Sequence, residues 1–222
     1  PGWRWWRLGL AGLLVVAIFF MWVRWHIPGK NQGQSLEAFQ ARNFEETAVS
    51  ISAEQETAVQ GPGSPAADLL PLEQQALSLM VSEPQKAGEL WRQVIERAPD
   101  NIRAHFNLGL VLLRREDYPQ AIRAFERVLA LDEGMTDARF NLGFAYAKMG
   151  RYDEATLQYG QVVDQAPAYL DEVLFNLAIV QDFQGDRQAA ARSLHGALRY
   201  NPHNVRAISY LARMEGRFSS PP

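Results

Sequence analysis

The chain has 222 residues, a formal charge of −3 and a pI near 5.9, and 47% of its residues are hydrophobic. That balance supplies no basic surface of the kind that DNA or RNA binding demands, so no nucleic-acid partner is expected. There are no cysteines, which excludes disulfides, thiol chemistry and cysteine-bound metals and fits either side of a membrane.

The first predicted element is a membrane anchor over residues 1–27. Leu8 to Val23 carries no charge, and a helix from Trp5 to Trp25 would rise about 30 Å, the thickness of a bilayer's hydrocarbon core. Trp3, Trp5, Trp6, Trp22 and Trp25 are five of the six tryptophans. They flank the apolar run as an interfacial belt, while Arg7 and Arg24 can snorkel. No small-residue cleavage site follows, which favours an uncleaved anchor over a removed signal peptide. Arg4 and Arg7 precede the run and Arg24 and Lys30 follow it, so the positive-inside rule discriminates weakly. The basic, acid-free leading end favours the cytoplasm for itself. The rest of the chain is then expected outside, in the periplasm if this is a bacterial inner-membrane protein.

Residues 28–67 read as an acidic spacer between the breakers Pro28-Gly29 and Gly61-Pro62-Gly63. Ser35 and Asn43 can cap one or two short helices, and Leu36, Phe39, Phe44, Val49 and Ile51 could form a sparse apolar stripe. A mobile tether and a segment docking through that stripe both remain open.

From residue 68 onward the chain repeats itself. Phe106-Asn107-Leu108-Gly109, Phe140-Asn141-Leu142-Gly143 and Phe175-Asn176-Leu177-Ala178 fall 34 and then 35 positions apart. The period also carries Ala87, Ala121, Ala155 and Ala190, followed by Trp91, Phe125, Tyr159 and Leu194, then Val94, Val128, Val162 and Ala197. Pro99, Pro167 and Pro202 close units, since proline cannot continue a helix. Within each unit the apolar positions recur at helical spacing in two runs, separated by breaks such as Glu116-Asp117 and Gly150-Arg151.

The set Asn107-Leu108-Gly109, Asp117-Tyr118, Ala121 and Phe125 resembles the tetratricopeptide repeat, a helix-turn-helix of about 34 residues. Gly143, Tyr146, Gly150-Arg151-Tyr152, Ala155, Tyr159 and Pro167 fit it equally well. The resemblance implies an all-α fold, a right-handed superhelix of about four repeats over 68–204. Their expected limits are 68–101, 102–135, 136–170 and 171–204, and residues 205–222 hold a capping helix and tail. Gln74-Gln75 departs from the Leu-Gly expected in the first unit.

The phrase itself divides by face. Leu108, Gly109 and Leu112, like Leu142, Gly143 and Tyr146, belong to the packing face, where a glycine lets helices approach closely. By the family's architecture, Arg103, Phe106, Asn107, Leu110, Phe140, Asn141, Phe144, Lys148, Phe175, Asn176 and Ile179 line a concave groove. Similar proteins use groove asparagines as a ladder for peptide backbones, each offering one acceptor and two donors. A purely structural role in bonding neighbouring repeats is the equal alternative for Asn107, Asn141 and Asn176. The aromatic wall is expected to stand exposed unless covered, by a partner or from within by the spacer or terminal helix. The family's carboxylate-gripping mode is disfavoured, because Phe106, Phe140 and Phe175 stand where a lysine would be needed.

No chemistry is legible. His26, His105, His195 and His203 are scattered, without a ligand-spaced partner, and no phosphate-cradling glycine loop occurs. No enzyme, cofactor, metal or small-molecule substrate is expected. The sequence reads as a membrane-anchored interaction scaffold or assembly factor gripping a protein partner. The alternatives are a permanent accessory subunit of a membrane complex, and a periplasmic chaperone-like factor for secreted or cofactor-bearing proteins.

Overall fold

The computed structural model describes residues 68–218. The anchor reading over 1–27, with its tryptophan belt, and the spacer over 28–67 lie outside the described residues. No described helix is long and apolar enough to cross a membrane.

Nine helices make up the described residues, and no strand occurs among them. They are α1 (Leu70–Leu79), α2 (Pro84–Arg97), α3 (Ile102–Arg114), α4 (Tyr118–Leu131), α5 (Thr136–Lys148), α6 (Tyr152–Gln165), α7 (Leu170–Phe183), α8 (Arg187–Tyr200) and α9 (Val205–Phe218). Each packs on the next, and the odd-numbered helices α3, α5 and α7 also touch in succession. The result is a superhelical stack of helical hairpins in which each unit leans on its neighbours.

Local chemistry sets the ends. Asn101, Asp117, Asp186 and Asn204 cap α3, α4, α8 and α9, each side chain accepting from a backbone N–H three residues on at 2.8–3.3 Å. α2, α6 and α8 end within two residues of Pro99, Pro167 and Pro202. No proline follows α4; instead Asp132 accepts from the Gly134 N–H at 2.9 Å, and this side-chain turn substitutes for one. The tight breaks inside units two, three and four place Glu116, Gly150 and Gly185 in the left-handed region, at φ 59°, 72° and 87°. Glycine enters that region without penalty; glutamate does not.

The repeated apolar positions form the core. Ala87, Ala121, Ala155, Ala190, Trp91, Phe125, Tyr159, Leu194, Val94, Val128, Val162 and Ala197 are all buried. The glycines of the phrase are required sterically. A Cβ on Gly109 would lie 2.7 Å from the Phe125 ring, and one on Gly143 would lie 3.0 Å from the Tyr159 ring. Helix α9 continues the register as Ser209-Tyr210-Leu211-Ala212. It buries Ala207, Tyr210, Leu211 and Met214 and leaves Val205 and Ile208 exposed.

Candidate protein-binding groove

The contacts of α3 with α5 and of α5 with α7 bring the first helices of three units side by side. These three helices carry the residues assigned to the groove. One expectation is corrected at once: the wall's apolar side chains do not stand exposed. Phe106, Leu110, Phe140, Phe144, Phe175 and Ile179 are all buried. Three of the four rings meet other rings of the chain. Phe106 lies edge-on to Phe125 with centroids 5.7 Å apart. Phe140 sits between Tyr159 at 5.5 Å and Tyr169 at 5.7 Å, and Phe175 meets Tyr210 at 6.1 Å. The edge-on pairs of Phe106–Phe125, Phe140–Tyr169 and Phe175–Tyr210 gain electrostatic energy beyond area burial, on the order of 0.5–1.5 kcal/mol.

Tyr169 and Tyr210 were absent from the sequence-based site. Each lies two helices on from the ring it covers, Tyr169 at the start of α7 and Tyr210 within α9, and each is pinned by a carboxylate. The Tyr169 hydroxyl donates to Asp137 and the Tyr210 hydroxyl donates to Asp182 at 2.7 Å. Burial raises both phenols well above their ordinary range, and the neighbouring carboxylates push the same way. Their signal in the sequence was weak, because one lies at a unit boundary and the other in the terminal helix.

The asparagines are also buried. Asn141 donates through Nδ2 to its own helix at Asp137 O, 2.7 Å away, and Asn176 does the same to Glu172 O at 3.0 Å. These bonds are made within a helix, not between repeats as the structural alternative held. They use one of two N–H donors and leave the carbonyl oxygen available. Asn107 differs. Its Oδ1 is buried and accepts no hydrogen bond. A buried acceptor left unmatched costs about 1–3 kcal/mol.

Charge completes the wall. Arg103 does not project as a loose cation; it is buried against Glu73 at 3.1 Å, and Asn101 Nδ2 donates to the other Glu73 oxygen at 2.8 Å. Glu73 falls one period before Asn107, a position that the degenerate first unit concealed. Arg206 pairs with Glu172 at 3.2 Å while its guanidinium lies over the Phe175 ring. Lys148 is half-exposed, its ammonium 5.7 Å from the Phe144 centroid. Arg114 is exposed at the same end of α3. At that rim of α7, Phe183 stacks on Tyr152 at 5.2 Å and remains 48% exposed. Among the described residues, no cluster of three or more histidine, aspartate or glutamate side chains could hold a metal. His105 is half-buried, with Nε2 2.8 Å from Pro99 O, which is a structural position.

Three family profiles, each described as a tetratricopeptide repeat, match residues 81–136, 112–174 and 172–195. Among curated relatives, the Drosophila melanogaster protein O-mannosyl-transferase Tmtc3 is 24% identical over 54% of this chain. The Caenorhabditis elegans tetratricopeptide repeat-containing protein trd-1 is 31% identical over 51% of it. The chain spans only 13% and 15% of those two proteins. Among solved structures, MamA from Desulfovibrio magneticus RS-1 superposes with a TM-score of 0.64 at 20% identity, covering 71% of this chain and 88% of that one. That likeness speaks to fold alone. Matched end to end from 81 to 195 and folded as stacked helical hairpins, this is a tetratricopeptide-repeat protein.

Proposed function

We propose that this chain is a membrane-anchored scaffold or assembly factor that holds a segment of a protein partner in the groove of its repeats. Tetratricopeptide repeats are protein-interaction modules, and the coarser reading of a protein-binding scaffold follows from the family. The finer reading rests on the wall. Its carrying observation is the buried, unmatched Oδ1 of Asn107 among apolar side chains. Such an acceptor is suited to a donor brought in by a ligand, as a backbone N–H would be. Asn141 and Asn176 each retain an acceptor and a second donor along the same wall, so the three can grip an extended or helical segment. The tryptophan-flanked run at the leading end would hold this module at a bilayer, with the repeats in the periplasm. No catalytic step is assigned to it.

The test is the combined variant Asn107→Ala, Asn141→Ala, Asn176→Ala, purified beside wild type from native membranes in mild detergent. Alanine raises helix propensity at all three sites, so the fold is kept while the ladder is lost. Partners should fall at least tenfold in the variant. Partners retained at unchanged, fixed stoichiometry would overturn the groove reading and identify a permanent subunit held elsewhere.

A further inference from the structure

From Arg187 to Met214 the chain carries five arginines and no acid, whereas residues 68–186 carry 19 acids against 11 lysines and arginines. The last hairpin, α8 and α9, is therefore the basic end of an acidic stack. On α8, Arg192, His195 and Arg199 share one exposed face at i, i+3 and i+7. Neither Arg192 nor Arg199 takes part in an ion pair among the described residues. Just past this face, Tyr200, Val205 and Ile208 are 50%, 72% and 46% exposed, three of the seven large hydrophobic side chains left exposed among the described residues. We propose that this tip docks on a lipid surface with anionic headgroups, giving the repeats a bilayer contact of their own. The contact goes beyond the proposed function and requires neither the groove nor the leading apolar run.

The turn that presents these residues is fixed from beneath. Asn201 and Asn204 both donate through Nδ2 to Oδ2 of the buried Asp171, at 2.8 and 2.9 Å, and the Asn204 side chain also caps α9. The apolar side chains are thus held out on an ordered turn, so binding does not have to order it. The other unit boundaries are an internal control. The turn after α2 exposes Asp100, the turn after α4 exposes Asp132 and Glu133, and the turn after α6 has no charge from Ala166 to Ala168. Among the described unit boundaries, the one after α8 alone joins exposed large apolar side chains to an unpaired arginine. A solvated face would account for the arginines and leave the apolar exposure without a cause. A lipid surface uses both. Tyrosine favours the headgroup level, Val205 and Ile208 reach the acyl boundary, and the arginines meet phosphates. Arg199 adjoins Tyr200, and Arg192 stands about 10 Å further back along α8, within roughly one Debye length of the headgroups. An acidic peptide would satisfy the arginines too. The apolar side chains, however, crown the bend of a helical hairpin, a convex shape suited to entering a soft surface and not to enclosing a peptide.

Because the chain has no cysteine, Val205→Cys takes an environment-sensitive fluorophore at that site alone. The full chain is reconstituted from detergent into vesicles of phosphatidylcholine and phosphatidylglycerol, with a nitroxide on a fraction of the acyl chains. The Val205→Cys probe should shift to the blue and be quenched by the nitroxide. Both signals should be lost in pure phosphatidylcholine, and in 1 M salt, where the Debye length is about 3 Å. A probe at Val81→Cys, 52% exposed in the first unit, should stay unquenched. Arg192→Gln with Arg199→Gln changes two exposed side chains to another good helix former, so the repeats stay folded. It should lower the ratio of quenched to unquenched probe at least tenfold, at about fivefold for each arginine near an anionic surface. Equal quenching at Val205 and Val81, or no quenching at Val205 in the anionic vesicles, overturns the proposal. A blue shift without quenching that grows with the protein-to-lipid ratio puts a protein on the tip and overturns it as well. Flotation with the vesicles reads the anchor and quenching reads the tip, so the two readings fail separately. A wild-type chain that floats without quenching keeps the anchor and removes the tip.

Discussion

Gly109 and the ring of Phe125 are in such close apposition that a Cβ on the glycine would stand 2.7 Å from two ring carbons. The ring is fully buried and cannot yield, so the glycine is fixed by its neighbour. Gly109→Ala should therefore destabilise despite a gain of about 1 kcal/mol in helix propensity, because overpacking costs about 1–3 kcal/mol. Gly160 lies within α6 with nothing within 4 Å of its missing Cβ, and Gly160→Ala should stabilise by about 0.5–1 kcal/mol. Thermal melts of the two variants should shift in opposite directions. A stabilised Gly109→Ala would refute the steric account.

The left-handed breaks give a second pair of opposite signs. Glu116 holds φ 59° where Gly150 and Gly185 hold φ 72° and 87°. Glu116→Gly should raise the urea midpoint, by about 0.5–1 kcal/mol, and Gly150→Ala should lower it by about 1 kcal/mol.

The two acid–base contacts to Glu73 and Asp100 differ in burial and should differ in weight. Arg103 and Glu73 side chains are 9% and 10% exposed, against 44% and 77% for Arg127 and Asp100. Glu73→Ala removes the carboxylate that faces the buried Arg103 guanidinium and should cost about 3 kcal/mol, read by denaturant unfolding and by faster amide exchange in α1. Asp100→Ala should cost under about 0.5 kcal/mol.

High pH tests the tyrosines. Burial, with a hydrogen bond to Glu126, pushes the Tyr146 phenol up to about 12, and Tyr159, Tyr169 and Tyr210 are raised further, chiefly by burial. A phenol whose folded pKa lies above its unfolded value stabilises the fold fully below the unfolded pKa, near 10, and loses that contribution as pH climbs through the folded value. Stability should hold up to about pH 10 and then fall between pH 10 and 12. Absorbance at 295 nm should show these four phenols ionising only together with loss of helical circular dichroism. Ionisation of all seven tyrosines with the fold intact would contradict the burial.

The core was legible because it is local and periodic. Ala121, Phe125 and Val128 sit one turn apart on one helix, and the same triplet recurs in each unit, so period alone located them. Both breaks, at Glu116-Asp117 and Gly150-Arg151, were legible in the sequence, but the left-handed backbone at Glu116 was not, because the residue type opposes that conformation. The side chains assigned to the inner wall were misjudged in their exposure. Its covers lie far along the chain: the Tyr169 hydroxyl reaches Asp137 across 32 residues and the Tyr210 hydroxyl reaches Asp182 across 28. No helical period links such pairs, and only the superhelical stacking of units brings them together. Glu73 escaped for a related reason, since its meaning depends on Arg103 in the next unit.

The covering of Phe140 by Tyr169, and of Phe175 by Tyr210, has a consequence for synthesis. A ribosome delivers the ring first and its cover roughly 30 residues later, a delay on the order of seconds at ordinary elongation rates. During that interval each nascent unit shows an uncovered aromatic surface, so emergence from the ribosome, ahead of any mature encounter, is when this chain most needs a chaperone. Early termination before α9 would make that exposure permanent at Phe175, which gives protein quality control a built-in mark of an incomplete chain.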